Sequence, residues 1–453
     1  MAKQPDAGPT PARTEKERLH AIRLTATASL IGTTIEWYDF ILYTSLSGLI
    51  FNKLFFPADN ALVSLLLAYA TFAVGFITRP IGGAFFGHFG DRIGRKPLLV
   101  LTLTMMGTVT FLIGLVPTYA QIGVAAPLLL VVLRLVQGFA MGGEWGGAVL
   151  MAYEYAPHHQ RGFYASFPQI GFALGLCFST GAITLLSGVL SNEAFLAWGW
   201  RCAFLLSIVL LLFGLFVRLK LIETPEFSRI RDNYHVSKLP IAEVVRDYAG
   251  NIVLGWLARM GEGAVFTIYT IYMFSYLTAI VHLQRTAVLA SVTAAALVLI
   301  FTTPLASAWS DRVGRRRLFA IAVLINGVAA FPLFWMLQSG STLLAAAAIV
   351  ISIGLLWAPV YGPEAALFCE LFDTRVRYTG VSLVYQIGAI MFLAPLPILA
   401  ALLVHMDGDQ PWALALYVLI ACCVSALSAS LMRRTFGAPL LAVATVAWQT
   451  PMA

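Results

Sequence analysis

Twelve apolar runs of about twenty residues or more follow one another along this chain, at roughly 24–50, 61–88, 97–117, 121–152, 162–190, 200–222, 250–281, 287–309, 317–338, 341–370, 378–404 and 411–432. About 20 apolar residues are what an α-helix needs to cross the hydrocarbon core of a bilayer. In lipid every backbone N–H and C=O must be satisfied internally, which only helices and closed barrels achieve. A barrel would show alternating apolar and polar positions over segments of about ten residues, and no such segments occur. The runs therefore predict an all-α integral membrane protein with twelve transmembrane helices. Composition agrees, with 59% hydrophobic and only 11% charged residues, against about 25% charged in a soluble domain.

The net charge of +7 reports orientation. With the amino terminus inside, 23 of the 29 Lys and Arg residues fall in inner loops or tails, three fall outside (Lys53, Arg201, Arg285) and three within runs (Arg79, Arg134, Arg259). That is the positive-inside pattern, so both termini are expected in the cytoplasm, with the bilayer and not a nucleic acid as partner. Residues 1–23 form a polar tail carrying Lys3, Arg13, Lys16, Arg18 and Arg23. The run after it is too long for a signal peptide and holds two acids, so no cleavage is expected. The five cysteines sit in or beside apolar runs without metal spacing and read as small hydrophobes.

One charged phrase is written twice. HFGDRIGRKP occupies 88–97 and WSDRVGRRRL occupies 309–318, with Asp91 and Asp311 220 positions apart. Each copy lies between the second and third run of a six-run unit, which divides the chain into bundles at 24–222 and 250–434. The charged segment 223–249 is a cytoplasmic linker and 435–453 an apolar tail. Two six-helix repeats around a midplane cavity are the build of a secondary transporter that works by rocking. Gly90 and Gly94 are expected to allow a tight turn. Arg92, Arg95 and Lys96, with Arg312 and Arg315 in the second copy, would hold the turns at the anionic inner surface. Asp91 and Asp311, at helix ends, are placed to face an arginine or the positive end of a neighbouring helix. A contact made only while the inner side is closed would act as a gate.

These phrases resemble the loop signature of the major facilitator superfamily. EWYDF at 36–40, RLVQGFAMGGEWGGA at 134–148, SFPQIG at 166–171, ETPEF at 223–227 and ELFDTRVRYTG at 370–380 are similar to its metabolite:proton symporter branch, which includes shikimate, 2-oxoglutarate, citrate and proline/betaine permeases. The likeness runs from about 28 to 432. It implies the major facilitator fold, a monomer in a prokaryotic inner membrane, and proton-coupled uptake with no cofactor beyond the proton.

Charges inside apolar runs are costly and normally face a cavity or a partner. Glu36 and Asp39 lie three apart, on one face of the first helix. Two carboxylates that close cannot both ionise cheaply, which makes them candidate proton carriers; the resemblance favours Asp39. Arg134, Gln137, Met141 and Glu144 share one stripe of the fourth helix. Arg134 and Gln137 match the superfamily's RxxQG element, which implies proton coupling or substrate contact, although Arg134 lies toward the outer start of its run; Glu144, on the same stripe, is a further proton-coupling candidate. Gly138, Gly142, Gly143, Gly146 and Gly147 read as helix packing. In the seventh helix Arg259 and Glu262 resemble the RxxE of shikimate-type permeases. Arg259 can grip a carboxylate with two hydrogen bonds, and Glu262 can hold Arg259 when the site is empty. Gln169, after Pro168, and Tyr385 with Gln386 are further candidate substrate contacts. Glu364 departs from the neutral residue the resemblance implies, and is either a further titratable group or solvated surface. Arg79 reads as structural, and Trp37, Trp145 and Trp357 as packing.

No GxxxxGK[ST] phosphate loop, nucleophile triad or metal constellation occurs, so the chain is not expected to be an ATP-driven pump or an enzyme. The fifth run lacks the glycine–proline signature of drug:proton antiporters. The leading expectation is symport of a small organic acid. A zwitterionic cargo such as betaine or proline, export, and a non-transporting metabolite sensor are the alternatives.

Overall fold

The computed structural model describes residues 15–46, 50–57, 67, 71, 74–221, 223, 224, 228 and 239–432. The first part of the second run, most of the linker and the whole apolar tail lie outside them. Among the described residues there are no strands. Nine helices among the described residues are long and apolar enough to cross a membrane: α3 (Arg95–Leu115), α4 (Ala125–Tyr155), α5 (His158–Val189), α6 (Phe195–Leu219), α8 (Arg285–Val313), α9 (Arg315–Gln338), α10 (Thr342–Cys369), α11 (Arg377–Met406) and α12 (Trp412–Leu431). Three more complete the set: α1 (Glu15–Leu46), α2 (Arg79–Ile93, the described end of the second run) and α7 (Ala249–Thr267), which continues through Ile268–Tyr272 into Met273–Ala279. Helices α1–α6 form one bundle and α7–α12 the other. The linker contributes a short helix, Pro240–Asp247, tied to the α10–α11 loop by Glu243 and Arg375 at 3.3 Å.

Close helix packing decides the geometry within the first bundle. A Cβ on Gly138 would lie 1.9 Å from the carbonyl oxygen of Gly75, one on Gly82 1.9 Å from that of Phe139, and one on Gly142 2.2 Å from that of Arg79. In lipid, where no hydrophobic drive presses helix against helix, such backbone approach supplies the packing energy. Gly138→Val should therefore prevent the second and fourth helices from seating, with loss of monodisperse protein on size-exclusion chromatography. Gly250→Val, where a Cβ meets nothing within 4 Å, should purify like the wild type.

In the second bundle α7, α10 and α11 each contain a π turn, at Ile268–Tyr272, Val350–Leu356 and Ala389–Leu393. π turns commonly mark functional stretches of helix, and two of these helices carry the buried Arg259, Glu262 and Glu364.

Both repeated turns lie on one face of the molecule, termed here the basic face. Gly94 (φ 113°) ends α2 and Gly314 (φ 95°) ends α8, each donating its N–H to a carbonyl one turn back, Gly90 and Ser310 respectively. Only glycine takes this left-handed region readily. The expectation that Gly90 also serves the turn is corrected: its second-copy counterpart is Ser310, and Gly90 instead makes room for Tyr378 of the other bundle.

Candidate functional site

The site grows from two layers where the bundles meet, latches at the basic face and a buried charge cluster deeper in. The latches are nearly symmetric. Asp91 accepts hydrogen bonds from the backbone N–H groups of Tyr378 (3.1 Å) and Thr379 (2.8 Å), in the first turn of α11. Asp311 accepts from Gly162 (2.8 Å) and Phe163 (2.9 Å), in the first turn of α5. Each carboxylate thus satisfies orphan donors at the positive end of a helix from the opposite bundle. Arg95 lies 3.6 Å from Asp91 and 3.3 Å from Glu154; Arg315 lies 2.5 Å from Asp311 and pairs with Glu370. Arg95 also donates to the Thr374 carbonyl across the interface (3.1 Å), and Arg377 reaches Glu154 at 3.4 Å. Arg92 and Arg312, which the sequence suggested for the gate, are exposed and make no ion pair among the described residues. Their register on the turn points them away from the interface.

Tyr378 adds a steric latch. Its hydroxyl donates to the Gly143 carbonyl (2.7 Å), and its side chain fills a slot where a Cβ on Gly90 would lie 2.0 Å from the ring and one on Gly147 2.6 Å from the hydroxyl oxygen. Gly147 therefore serves the interface as well as the packing within the first bundle.

Deeper in, Asp39 is fully buried and accepts from Ser207 Oγ on α6 at 2.9 Å. Thr110 on α3 lies beside it and accepts from Gln137 Nε2 at 2.8 Å, while Gln137 Oε1 accepts from Arg134 Nη1 at 2.5 Å. A polar chain therefore runs from Arg134 through Gln137 and Thr110 to Asp39. The Arg134 guanidinium also lies 3.9 Å from the Tyr43 ring centroid. Glu36 and Asp39 do not hydrogen-bond to each other, and each has one buried oxygen, Oε2 and Oδ2, without a hydrogen-bond partner.

Glu144 takes a different part from the one its stripe suggested. It forms a two-pronged ion pair with Arg218 of α6 and accepts from Thr102 Oγ1 at 2.7 Å, with Arg218 also bonded to the Leu99 carbonyl. A carboxylate so fully engaged ties α3, α4 and α6 together. Arg218 is itself buried, although the charge count placed it in the inner rim; a Cβ on Gly32 would strike its guanidinium.

Arg259 is buried beneath two carboxylates. Its Nη1 lies 3.1 Å from Glu262 Oε2 and 3.1 Å from Glu364 Oε1, and its guanidinium carbon lies 3.9 Å from the Tyr385 ring centroid. The other face of Tyr385 stacks on Trp145 of the first bundle, with centroids 3.5 Å apart and planes at 15°. Trp145, expected as packing, is thus a platform that carries Arg259 across the interface. Trp357 stacks on Tyr361 at 4.1 Å, and Phe172 of the first bundle meets Phe266, Trp357 and Tyr361 edge-on. Glu364 is completely buried, which disposes of the solvated alternative.

Gln169 and Gln386 staple the bundles. Gln169 accepts from Trp145 Nε1 (2.7 Å) and donates to the Tyr361 carbonyl (2.9 Å). Both ends of its amide are in use in this arrangement, which makes it a tie between the bundles. Gln386 Nε2 donates to the Gly142 (3.1 Å) and Met141 (3.4 Å) carbonyls, and its Oε1 stays without a partner.

Arg79 was passed over in the sequence because Pro80 suggested a structural role. Only 6% of it is exposed. Its guanidinium rests 4.1 Å from the Phe76 and 4.5 Å from the Phe40 ring centroids, and it makes no ion pair within 4.0 Å among the described residues. Glu36 and Tyr385 lie within its electrostatic reach. Also missed were Glu154 and Glu370, although a signal existed: Glu154 precedes Arg161, and Glu370 precedes Arg377, by the same seven residues in each half.

A family model for the Major Facilitator Superfamily matches residues 29–395. The chain belongs to the Major Facilitator Superfamily. It is 38% identical to the shikimate transporter of Escherichia coli K12 over 418 residues, 92% of this chain and 95% of that one. It is 41% identical to the inner membrane metabolite transport protein YhjE of the same organism over 379 residues, 83% and 86% of the two chains. The proline/betaine transporter of Salmonella typhimurium LT2 is 30% identical, with 92% and 85% covered. Among solved structures, the proton:xylose symporter XylE bound to 6-bromo-6-deoxy-D-glucose superimposes with a TM-score of 0.74 at 16% identity, covering 92% of this chain and 97% of that one, which shows the fold. The protein is thus a multi-pass membrane transporter of small molecules and not an enzyme.

Proposed function

We propose that this transporter is a proton-coupled symporter that carries a small organic acid inward by alternating access, as a monomer and with the proton as its only coupling ion. The observation that carries the reading is the charge balance between the bundles. Outside the Arg218–Glu144 pair, the buried charges of this layer are Arg79, Arg134 and Arg259 against Glu36, Asp39, Glu262 and Glu364, a balance of three positive against four negative charges when all are ionised. A further carboxylate would deepen that excess, and each charge near the middle of a bilayer costs about 2.5 kcal/mol or more. An acid therefore enters most cheaply with a proton.

In this reading Asp39 and Glu36 take the proton, and Arg134 sets the polarity around Asp39 through Gln137 and Thr110. Arg259 holds the substrate's carboxylate over Tyr385, and Glu262 keeps Arg259 occupied in the empty site. The positive-inside pattern puts the basic face in the cytoplasm. The Asp91–Arg95 and Asp311–Arg315 latches then close the inner side while the site loads from outside. Proton and substrate must each favour one of the two states for coupling to follow. The 38% identity to a shikimate transporter supports a carboxylate cargo over the zwitterions of the 30% relative.

Proteoliposomes under an inward proton gradient test this with labelled shikimate, 2-oxoglutarate, citrate, an aromatic acid, proline and betaine. An acid should accumulate only with the gradient. Asp39→Asn should abolish that accumulation while leaving exchange of labelled for unlabelled substrate. Accumulation of proline or betaine alone, or gradient-driven loss from loaded vesicles, would replace the reading with osmolyte uptake or export.

A further inference from the structure

Three carboxylate oxygens converge on one nitrogen of Arg259. Glu364 Oε1 and Oε2 lie 3.1 and 3.2 Å from Nη1, and Glu262 Oε2 lies 3.1 Å from the same atom. An NH2 group has two hydrogens, so it cannot satisfy three oxygens; Glu262 Oε2 makes no hydrogen bond, and Arg259 Nε has no partner either. A guanidinium normally meets a carboxylate through two nitrogens at once. Here its fork is crowded on one prong and unused at Nε. The other titratable groups facing Glu364 are Tyr361 on its own helix and Tyr385 on α11, neither of them cationic. One positive charge therefore answers two negative ones, in a place where water contributes nothing to Glu364, which has no exposed surface. Breaking a buried pair on one side leaves an uncompensated charge, the costly case. A carboxylate that leaves Arg259 in this position must leave it neutral.

We propose that Glu364 is a second proton-coupling carboxylate, displaced from Arg259 by the substrate's own carboxylate. The inference rests on the symport reading of the same site. The incoming carboxylate takes the guanidinium through two nitrogens, and Glu364 swings off carrying one proton drawn from the outer side. When the substrate departs inward, Glu364 returns that proton to the cytoplasm and pairs with Arg259 again. One proton is carried per cycle by this route, in addition to the one on Asp39 or Glu36.

The test is equilibrium binding of shikimate and 2-oxoglutarate to the purified full chain between about pH 5 and 8, after wild-type uptake has shown which acid is carried. Each proton bound together with the ligand changes Kd about tenfold per pH unit. Glu364→Gln keeps size and an acceptor for Arg259 but cannot titrate. Where the wild-type plot of log Kd against pH rises, that of Glu364→Gln should be shallower by up to one unit, so the variant should bind about as tightly as wild type at pH 5 and progressively tighter than wild type toward pH 8, by up to about tenfold for each pH unit of that rise. Glu364→Asp should retain the wild-type slope. Parallel plots for wild type and Glu364→Gln overturn the inference while leaving symport intact. Failure of the wild type to accumulate any acid overturns the symport reading and this inference with it. Should the variants not fold, indicator-dye proton uptake by the wild type decides alone: about two protons per ligand support the inference, and one or fewer overturns it.

Discussion

On the symport reading, Arg259→Ala should abolish gradient-driven accumulation of the transported acid, a loss of roughly a hundredfold or more. A charge-assisted hydrogen bond contributes about 1.5–3 kcal/mol, and each 1.4 kcal/mol is about tenfold in affinity. Arg259 would supply two such bonds to one carboxylate. The same substitution strands Glu262 and Glu364, both buried and both within 3.1 Å of the lost cation. Removing one partner of a buried pair costs about 3–5 kcal/mol of stability. A drop in thermal stability should therefore accompany the loss of uptake. Arg259→Ala combined with Glu364→Gln should recover part of that stability and none of the transport, which separates the two effects. Arg259→Lys keeps the charge but neither the fork nor the flat face that lies on Tyr385, and should retain only a few per cent of uptake. Proteoliposomes matched for protein content provide the readout. Wild-type uptake by the alanine variant removes Arg259 from the site.

The fold was legible because lipid leaves few choices: long apolar runs have to be helices, and a charged phrase written twice has to mark a duplicated bundle. The predicted run at 97–117 became Arg95–Leu115, and that at 411–432 became Trp412–Leu431. The buried charges were legible for the same reason, since Glu36, Asp39, Arg134, Arg259 and Glu262 stand out in apolar surroundings. Their partners were not. Glu144 and Arg134 share a helical stripe, yet Glu144 is taken by Arg218, 74 residues away in sequence, and Arg134 by Gln137. Trp145 and Tyr385 stack across 240 positions of chain, a pairing fixed by how the bundles lean together and by nothing local. Gln169 looked available because a glutamine beside proline in a membrane helix suggests an open backbone; tertiary contacts had claimed both ends of its amide.

The hydrogen bonds between the bundles, among the described residues, cluster toward the basic face: Asp91 with α11, Asp311 with α5, Tyr378 with Gly143, Gln169 with Tyr361 and Gln386 with Gly142. In the alternating-access reading proposed above, this arrangement is the state closed at the basic face, held by the reciprocal use of Asp91 and Asp311. Each half lends a carboxylate to a helix start in the other, so neither latch can open without unsatisfying both an acid and two N–H groups.

Gly90→Val tests that closure by shape alone, without touching a charge. A Cβ at this position would lie 2.0 Å from Tyr378 Cδ1, and the ring has little freedom to yield because its hydroxyl is bonded to the Gly143 carbonyl. Overpacking of this kind costs about 1–3 kcal/mol, here only in the closed state, which corresponds to a shift of about 5–150-fold toward the state open at the basic face. Ser382 lies against the same slot, its Oγ 2.5 Å from where a Cβ on Gly146 would be, and is 1% exposed. In a chain cleared of its five native cysteines, a Ser382→Cys reporter should react with a membrane-impermeant thiol reagent added from the basic face about tenfold faster when Gly90→Val is present. Gradient-driven uptake should fall by a similar factor, because a site that rarely closes inward rarely loads from outside. Gly250→Val, in open space, should change neither rate. Equal labelling with and without Gly90→Val would mean that Tyr378 gives way, and that the two aspartates hold the inner side shut by electrostatics alone.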